Sequence, residues 1–241
     1  MPESSPAELS SRLLVEGVGR PGPSSAVKAF LTCRALGSMK DPAARRKALE
    51  TVQLPGRAPL ILKQVHGVEI ATPTGAGAGP SNSVPEADGW ISAEKGVVLA
   101  VFVADCVPLF LWEKSGRAFG VFHAGWRGMA KGMPRRAVEA FRLRHAIEPG
   151  ALQGAIGACI RECCFQVGPD TAEQFPSSSR IERDGKTFVD LARDASRQLQ
   201  EAGVEDFLVT GGCTVCGAEK YFSFRREKSD NRMMAFITID G

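Results

Sequence analysis

The sequence holds 241 residues with a formal net charge of +3, of which 44% are hydrophobic and 24% charged. This length suits one fairly large domain, and so small a net charge gives no electrostatic case for nucleic-acid binding. No run of about 18 consecutive apolar residues occurs, so we expect no membrane span, and the first residues lack the pattern of a signal peptide. The sequence therefore predicts a cytoplasmic protein whose seven cysteines are reduced thiols.

The first feature along the chain is a segment rich in Ser, Pro and Gly, residues 1–26, which predicts a flexible N-terminal lead-in. A domain of residues 27–241 follows. It begins with a predicted strand at residues 27–33. The next element is a predicted helix at residues 43–52, with Asp41 as its N-cap.

Two apolar runs organise the central stretch, and each ends in a chemically reactive side chain. Residues 97–103 are rich in β-branched residues and predict a buried strand that ends shortly before Cys106. Pro108 is expected to stop regular strand pairing directly afterwards. Residues 118–122 form a second apolar run, which ends directly before His123. This arrangement indicates a site rather than a core.

The remaining elements are predicted from the same periodicities. Short strands at residues 60–65 and 68–71 lie on either side of His66, and residues 74–85 predict an exposed loop. Later helices are predicted near residues 133–141, 171–175 and 190–202, and later strands at 152–160, 207–210, 221–224 and 234–239. The irregular alternation without repeats predicts a single α/β domain of mixed β-sheets with packed helices, in a layered α/β/β/α arrangement.

His66, Cys106 and His123 form a candidate metal-binding set drawn from three separate elements. Zinc accepts imidazole nitrogen and thiolate sulfur, and three protein ligands with an open fourth position are typical of catalytic zinc. Copper accepts the same ligands, so ligand type does not choose between the metals. The alternative is an inert buried thiol beside structural histidines. The third histidine, His145, lies in a charged segment and is interpreted as a surface residue.

Two further groups of cysteines lie outside this set. Cys163 and Cys164 are adjacent, with Cys159 nearby, and Cys213 and Cys216 form a CxxC pair. A CxxC pair without a partner pair at zinc-finger spacing is a weak signal. We therefore favour ordinary buried thiols over a structural or redox site.

The glycine-rich turn at residues 125–128 indicates an anion site, because backbone amides at a turn that enters a helix bind anions. Arg127 adds positive charge to this turn, and Arg225 with Arg226 would supply a bidentate fork for phosphate. The alternative for each arginine is a solvated charge at the rim of the molecule.

Five motifs occur in an order that resembles one known family. They are KQVHG at 63–67, ADG at 87–89, ADCVP at 104–108, HAGWRG at 123–128 and YFSFRR at 221–226. Together they are similar to the multicopper polyphenol oxidoreductase (laccase-domain) family, from about Leu31 to the C-terminus. Members of that family are described as purine nucleoside phosphorylases with adenosine deaminase activity, and its bacterial branch includes a peptidoglycan editing factor.

The resemblance implies that residues 27–241 form one laccase-domain-like catalytic domain. It implies zinc, with copper as the other candidate, on His66, Cys106 and His123. The implied reactions are phosphorolysis of adenosine, inosine and methylthioadenosine to the base and ribose 1-phosphate, and hydrolytic deamination of adenosine. The expected partners are therefore a purine nucleoside and phosphate, with no nucleic acid and no membrane. The expected assembly is a monomer or a homodimer.

The resemblance also implies a substrate site. Arg34, Arg127 or Arg225 is expected to hold phosphate as it attacks the anomeric carbon. Gln64 is expected to contribute to the same site. Phe222 is expected to stack on the base, with a place in the core as the alternative.

Three residues are predicted to be catalytic: Asp88, Asp105 and Arg127. Asp88 or Asp105 is expected to relay protons while the metal polarises the purine. For deamination, we expect a water at the same metal to attack the purine ring. Residues 35–39 depart from the Gly-Gly turn and Asn-bearing loop that the family usually carries, which leaves the preferred nucleoside open.

Three other functions remain open at this point. One is a metal-free thiol hydrolase in which Cys106 is the nucleophile and His123 the base. Another is copper-dependent polyphenol oxidation, although three histidines are too few for several copper sites. The third is a non-enzymatic factor related to peptidoglycan or to regulation.

Overall fold

The computed structural model describes residues 15–17, 27–73 and 84–240. Most of the predicted lead-in, and the predicted loop except for its last two residues, therefore lie outside the described residues. The described part of the lead-in, Val15–Gly17, forms a strand, because it pairs in antiparallel fashion with residues 30–32. None of the described helices is both long and apolar enough to cross a membrane.

The described residues form fourteen strands and six α-helices. The strands are β1 (Val15–Gly17), β2 (Val27–Thr32), β3 (Pro59–Leu60), β4 (Ile70–Ala71), β5 (Gly89–Ser92), β6 (Val98–Val103), β7 (Val107–Glu113), β8 (Phe119–Ala124), β9 (Leu152–Ile156), β10 (Gln166–Val167), β11 (Arg180–Arg183), β12 (Lys186–Val189), β13 (Phe207–Val209) and β14 (Met233–Ile239). The helices are α1 (Pro42–Thr51), α2 (Trp126–Ala130), α3 (Met133–His145), α4 (Pro169–Ala172), α5 (Leu191–Glu201) and α6 (Phe224–Glu227).

These strands build three sheets. The five-stranded sheet has the order β1-β2-β14-β6-β3, the six-stranded sheet β13-β9-β7-β8-β5-β4, and the small sheet β10-β12-β11. Three pairs are parallel, β3 with β6, β4 with β5 and β13 with β9, and the other pairs are antiparallel. Both large sheets are therefore mixed, which confirms the predicted single α/β domain.

Strand β14 shows how side-chain alternation builds the layers. Ala235 and Ile237 belong to a core shared by the two large sheets, whereas Met234 and Phe236 pack on the other face against α1. The outer face of the six-stranded sheet is covered in turn by apolar residues of α3 and α5. The order of layers is thus α1, five-stranded sheet, six-stranded sheet, then α3 with α5, and the predicted α/β/β/α arrangement is confirmed.

The predicted helices at 43–52 and 190–202 are confirmed, and each begins at a capping aspartate. The Asp41 carboxylate accepts a hydrogen bond from the Ala43 amide at 2.8 Å. The Asp190 carboxylate accepts from the amides of Ala192 and Arg193. A side-chain acceptor at the N-cap satisfies backbone amides that have no partner within the helix, so the sequence signal and the structure agree.

The prediction that Pro108 stops strand pairing is wrong. Pro108 is the second residue of β7 and pairs with His123 of β8. On the other side of β7, the ladder with β9 ends at Leu109 and Ile156, one residue short of the proline. The missing amide therefore removes no hydrogen bond from a regular ladder.

The predicted strand at 60–65 is reduced to β3. Beyond Leu60 the Gln64 side chain replaces the backbone ladder: its amide nitrogen donates to the Phe102 carbonyl at 2.9 Å, and its oxygen accepts from the Phe102 amide at 2.7 Å. This segment therefore lies against β6 without forming a strand.

The predicted strand at 221–224 is also wrong. The Tyr221 amide donates to the Gly217 carbonyl within a turn. The Ser223 hydroxyl then accepts from the Arg226 amide and caps the short helix α6. Local capping by a serine competes here with the strand propensity of the aromatic residues.

Candidate metal centre

Cys106 lies where the chain passes from one large sheet to the other. Strand β6 belongs to the five-stranded sheet and β7 to the six-stranded sheet, and residues 104–106 form the turn between them. Asp105 in this turn has a φ of 92°, which a non-glycine residue adopts only when its surroundings hold it there. Its carboxylate accepts from the Thr214 hydroxyl and from the Arg225 amide, each at 2.6 Å. These bonds fix the turn that presents Cys106.

His123 lies near the end of β8 and is 2% exposed. Its Nδ1 atom is 2.8 Å from Oδ1 of Asp88, which is fully buried just before β5. With a carboxylate as its partner, Nδ1 is the donor, so Nε2 on the other side of the ring is the atom available to a metal.

His66 is held by the same carboxylate through its backbone. Asp88 accepts from the amides of Val65 at 3.2 Å, His66 at 3.0 Å and Gly67 at 2.6 Å. His66 has a φ of 60° and an exposed side chain. Burial favours the neutral acid, but the hydrogen bond from His123 and those from the backbone amides outweigh it and lower the pKa of Asp88. One buried carboxylate therefore fixes both histidines.

The three predicted ligands converge. His66, Cys106 and His123 each offer a ligand atom, and these atoms all lie within 4.8 Å of one another. The two imidazole rings meet edge to face with centroids 4.9 Å apart. Gly125 lies against the cluster: a Cβ at this position would be 3.0 Å from the Cys106 sulfur and 3.0 Å from His66 Cδ2.

The charges in this cluster are strongly coupled. Burial favours the neutral thiol, but the charge of His123 and hydrogen bonds from both histidines lower the pKa of Cys106 to about 6. Burial likewise disfavours charge on His123, but the Cys106 thiolate and Asp88 raise its pKa to about 9. A metal-free protein near neutral pH thus carries a thiolate beside an imidazolium.

The donor set fits a soft or borderline divalent metal. Two imidazoles and a thiolate are zinc ligands, and an Asp88 carboxylate behind His123 is the usual partner that orients a ligating imidazole. His66 and Cys106 remain partly accessible, so the ligand atoms face the cleft rather than a closed interior.

The cleft beside the cluster has a volume of about 1090 Å³. Its lining is rich in basic side chains: Lys40, Arg45, Lys63, Arg127, Arg225, Lys228 and Arg232. Its aromatic side chains are Phe102, Trp126, Phe165 and Phe224. Such a lining suits a ligand that combines an anionic group with a flat ring.

Four of the other predicted site residues line this cleft: Gln64, Asp105, Arg127 and Arg225. The Arg127 guanidinium lies 4.4 Å from the centroid of the Trp126 ring. The Arg225 guanidinium donates to the carbonyls of Cys164 and Gln166, while its backbone amide holds Asp105.

Arg34, Phe222 and Asp88 lie outside the cleft lining. The Arg34 guanidinium donates to Glu227 at 2.9 Å and lies over the Phe222 ring, which is 7% exposed in the core between the sheets. Asp88 is fully buried behind His66 and His123. Arg34 and Phe222 do not line this cleft, so their contacts with substrate stay predictions.

Sequence reasoning named none of the four aromatic residues that line the cleft as a site residue, and Phe224 is the most exposed of them. Phe224 is 49% exposed and lines the cleft, because Ser223 ends the extended segment and starts α6. The available signal was the serine two residues after Tyr221, which is typical of an N-cap.

Two other interpretations also change. Cys163 and Cys216 are exposed and Cys164 is half-buried, so the interpretation as ordinary buried thiols is wrong for these three residues. His145 is half-buried rather than a surface residue, and its Nε2 atom has no hydrogen-bond partner.

Comparison with known proteins supports the resemblance seen in the motifs. Residues 40–240 match the family model described as multi-copper polyphenol oxidoreductase laccase. The chain is 34% identical over 209 residues to the purine nucleoside phosphorylase YlmD of Geobacillus stearothermophilus, which covers 80% of this chain and 76% of that protein. It is 32% identical over 201 residues to the purine nucleoside phosphorylase YfiH of Escherichia coli K12, which covers 81% and 79%.

Solved structures have the same fold. The crystal structure of YlmD from Geobacillus stearothermophilus matches with a TM-score of 0.81 at 30% identity, over 94% of this chain and 97% of that chain. The crystal structure of the Neisseria meningitidis protein NMB0706 matches with a TM-score of 0.79 at 27% identity, over 94% and 99%.

Proposed function

This chain belongs to the multi-copper polyphenol oxidoreductase laccase family, and we propose that it is a zinc-dependent purine nucleoside phosphorylase that also deaminates adenosine. One observation carries the proposal: two imidazoles and a thiolate converge at the wall of a large cleft that is lined by basic and aromatic side chains. The names of the relatives, purine nucleoside phosphorylase, support the same substrates. A cytoplasmic location, where thiols stay reduced, is part of the proposal.

His66, Cys106 and His123 would hold the zinc. Zinc bound in this way supplies a Lewis acid and lowers the pKa of a bound water. Copper accepts the same ligands, but a chain with three histidines lacks the imidazoles for several copper sites, which favours zinc.

The chain's own residues position this centre. Asp88 holds the Nδ1 proton of His123 and the backbone of His66, so we assign it an orienting role instead of the predicted proton relay. Asp105 has both carboxylate oxygens engaged, by Thr214 and by the Arg225 amide. We therefore assign Asp105 to holding the Cys106 turn.

Phosphate and purine would bind on different parts of the cleft lining. Arg127 is exposed at the start of α2 beside the cluster, and its guanidinium would hold phosphate close to the sugar. Phe224 offers an exposed ring, so we assign it the base-stacking role first expected of Phe222. Gln64 would contribute shape more than hydrogen bonds, since both ends of its amide are engaged with Phe102.

One observation favours a second candidate function. Burial favours the neutral thiol, but the charges and hydrogen bonds of His123 and His66 together lower the pKa of Cys106 to about 6. A thiolate beside an imidazolium is the pair that cysteine hydrolases use. A metal-free thiol hydrolase therefore stays the alternative, and zinc content decides between the two.

The test is turnover of adenosine, inosine and methylthioadenosine by the zinc-loaded protein, with and without phosphate, followed by chromatography of the products. We expect free base and ribose 1-phosphate only when phosphate is present, and inosine from adenosine in either case. His123→Ala should abolish both reactions together with bound zinc, whereas His145→Ala, which removes the histidine outside the cluster, should leave both intact. Turnover by a metal-free protein, or base release that does not need phosphate, would overturn the proposal.

A further inference from the structure

A second cluster of thiols lies on the surface, outside the candidate active site. Cys163 and Cys164 are in the loop between β9 and β10, and Cys213 and Cys216 are in the loop after β13. Their four sulfur atoms all lie within 4.8 Å of one another. The Cys216 sulfur is 3.7 Å from that of Cys163 and 3.4 Å from that of Cys164. Two loops that are distant in sequence thus bring four thiols to one point.

The spacing of these sulfurs fits a tetrahedral tetrathiolate. Zinc binds thiolate sulfur at about 2.3 Å, which places neighbouring sulfurs of a regular tetrahedron about 3.8 Å apart. The two separations from the Cys216 sulfur, 3.7 and 3.4 Å, lie close to this value, and every other separation is within 4.8 Å. The sulfurs would therefore shift by about 1 Å or less to surround an ion.

Backbone hydrogen bonds fix the turn that carries Cys213 and Cys216. The Thr214 amide donates to the Cys159 carbonyl at 3.1 Å, and the Gly217 amide donates to the Cys213 carbonyl at 2.8 Å. The fold therefore holds the CxxC turn in place beside the loop that carries Cys163 and Cys164.

The surrounding charge is complementary to a tetrathiolate. Zinc with four thiolates carries a net charge of −2, and cations near it offset that charge. Guanidinium groups of four arginines donate to carbonyl groups of the two cysteine-bearing loops. Their acceptors include Gly211 for Arg161, Cys163 for Arg183, Cys164 for Arg225, and Thr214 with Val215 for Arg226.

We propose that Cys163, Cys164, Cys213 and Cys216 form a structural metal site that binds one zinc ion with all four thiolates. Four protein ligands close the coordination sphere, so this ion has no open position and takes no part in chemistry. It joins the loop after β9 to the loop after β13. The site is separate from the His66–Cys106–His123 cluster and does not depend on the proposed activity.

The second site has a physical link to the first. Thr214 lies between the two cysteines of the CxxC pair, and its hydroxyl holds the Asp105 carboxylate. Arg225 donates to the Cys164 carbonyl and, through its amide, to the same carboxylate. Zinc on the four thiols would therefore also stiffen the support of the turn that presents Cys106.

The experiment measures zinc content of the intact protein, purified under reducing conditions and loaded with zinc alone. We expect about two equivalents of zinc per chain. His123→Ala should lose the equivalent at the first cluster, and Cys216→Ser should lose the other. The matched control is Cys159→Ala, since Cys159 is a fully buried thiol near Cys213 that is not part of the cluster, and it should keep both.

A measurement on the unmutated protein covers the case in which Cys216→Ser fails to fold. Bound zinc should block alkylation of the four cysteines, as read by peptide mapping, and a chelator should restore it. Cobalt in place of zinc should give the absorption of a tetrathiolate site that persists in His123→Ala. No loss of bound zinc in Cys216→Ser, alkylation of the four thiols at the same rate with and without zinc, or a disulfide among them in the freshly purified protein would each overturn the proposal.

Discussion

Replacement of Asp88 by asparagine tests whether this carboxylate positions the metal ligands. The side chain is fully buried, and its two oxygens accept four hydrogen bonds, from His123 Nδ1 and from the amides of Val65, His66 and Gly67. Asparagine has nearly the same shape but only one oxygen. Whichever way its amide turns, one pair of these donors faces an NH₂ group.

The free-energy cost of Asp88→Asn follows from the number of buried donors that it leaves without an acceptor. Each buried donor left without an acceptor costs about 1–3 kcal/mol, so a rigid site would lose about 2–6 kcal/mol. The loop that carries His66 is partly exposed and can move to satisfy its amides with water, in which case the cost appears as weaker metal binding. Loss of a partner behind a metal ligand typically weakens metal affinity about 10- to 100-fold, and we expect Asp88→Asn to fall in this range.

The assay is zinc affinity by competition with a chromophoric chelator, together with phosphorolysis at saturating zinc. Glu86→Gln is the matched control, because it makes the same chemical change two residues away on a side chain that is 61% exposed, and it should leave zinc affinity unchanged. Normal zinc affinity in Asp88→Asn would refute the positioning role. Normal affinity combined with lost turnover would instead restore the proton relay that the sequence first suggested.

Three further predictions test neighbouring features. In the metal-free protein, the rate of Cys106 alkylation should be half-maximal near pH 6, because the pKa of Cys106 is lowered and the reactive thiolate forms above that value. A half-maximal rate above pH 8 would contradict this electrostatic reasoning. Gly125→Ala should weaken zinc binding by about 1–3 kcal/mol, or about 5- to 150-fold by chelator competition, because a Cβ would lie 3.0 Å from the Cys106 sulfur. Gly150→Ala, where a Cβ meets nothing within 4 Å, should have no such effect. Arg127→Met should raise the KM for phosphate about 10-fold or more while the KM for adenosine stays unchanged, and exposed Arg136→Met should change neither.

The sequence carried enough information to predict the layered α/β/β/α fold and a candidate set of metal ligands. The apolar run at residues 234–239 predicted a strand, and neighbouring side chains along it, such as Met234 and Ala235, pack on opposite faces. His66, Cys106 and His123 were predicted as candidate ligands because each follows an apolar run, and their ligand atoms lie within 4.8 Å of one another. These three residues lie far apart in sequence, and the strongest indication that they come together was the order of the five motifs.

What the sequence could not supply was the identity of hydrogen-bond partners. Gln64 and Phe102 are 38 positions apart, and no periodicity shows that a side-chain amide replaces a backbone ladder there. The resemblance implied that Arg34 binds substrate, but it did not show that the Arg34 guanidinium donates to Glu227, 193 positions later. The cysteine cluster was missed for the same reason, since the separation of Cys164 and Cys216 matches no local metal motif.

Two buried carboxylates, those of Asp88 and Asp105, support different parts of the candidate metal centre. Asp88 holds the two histidines through four donors, and Asp105 holds the cysteine turn through Thr214 and the Arg225 amide. Because their described hydrogen-bond partners do not overlap, the imidazole half and the thiolate half of the site are supported by different parts of the chain. The first support joins the start of β5 and the end of β8 to residues 65–67, whereas the second reaches into the loop that carries Cys213 and Cys216. A disturbance in the loop that carries Cys213 and Cys216 would therefore reach Cys106 first, through Thr214 and Asp105, and the histidines only through Cys106.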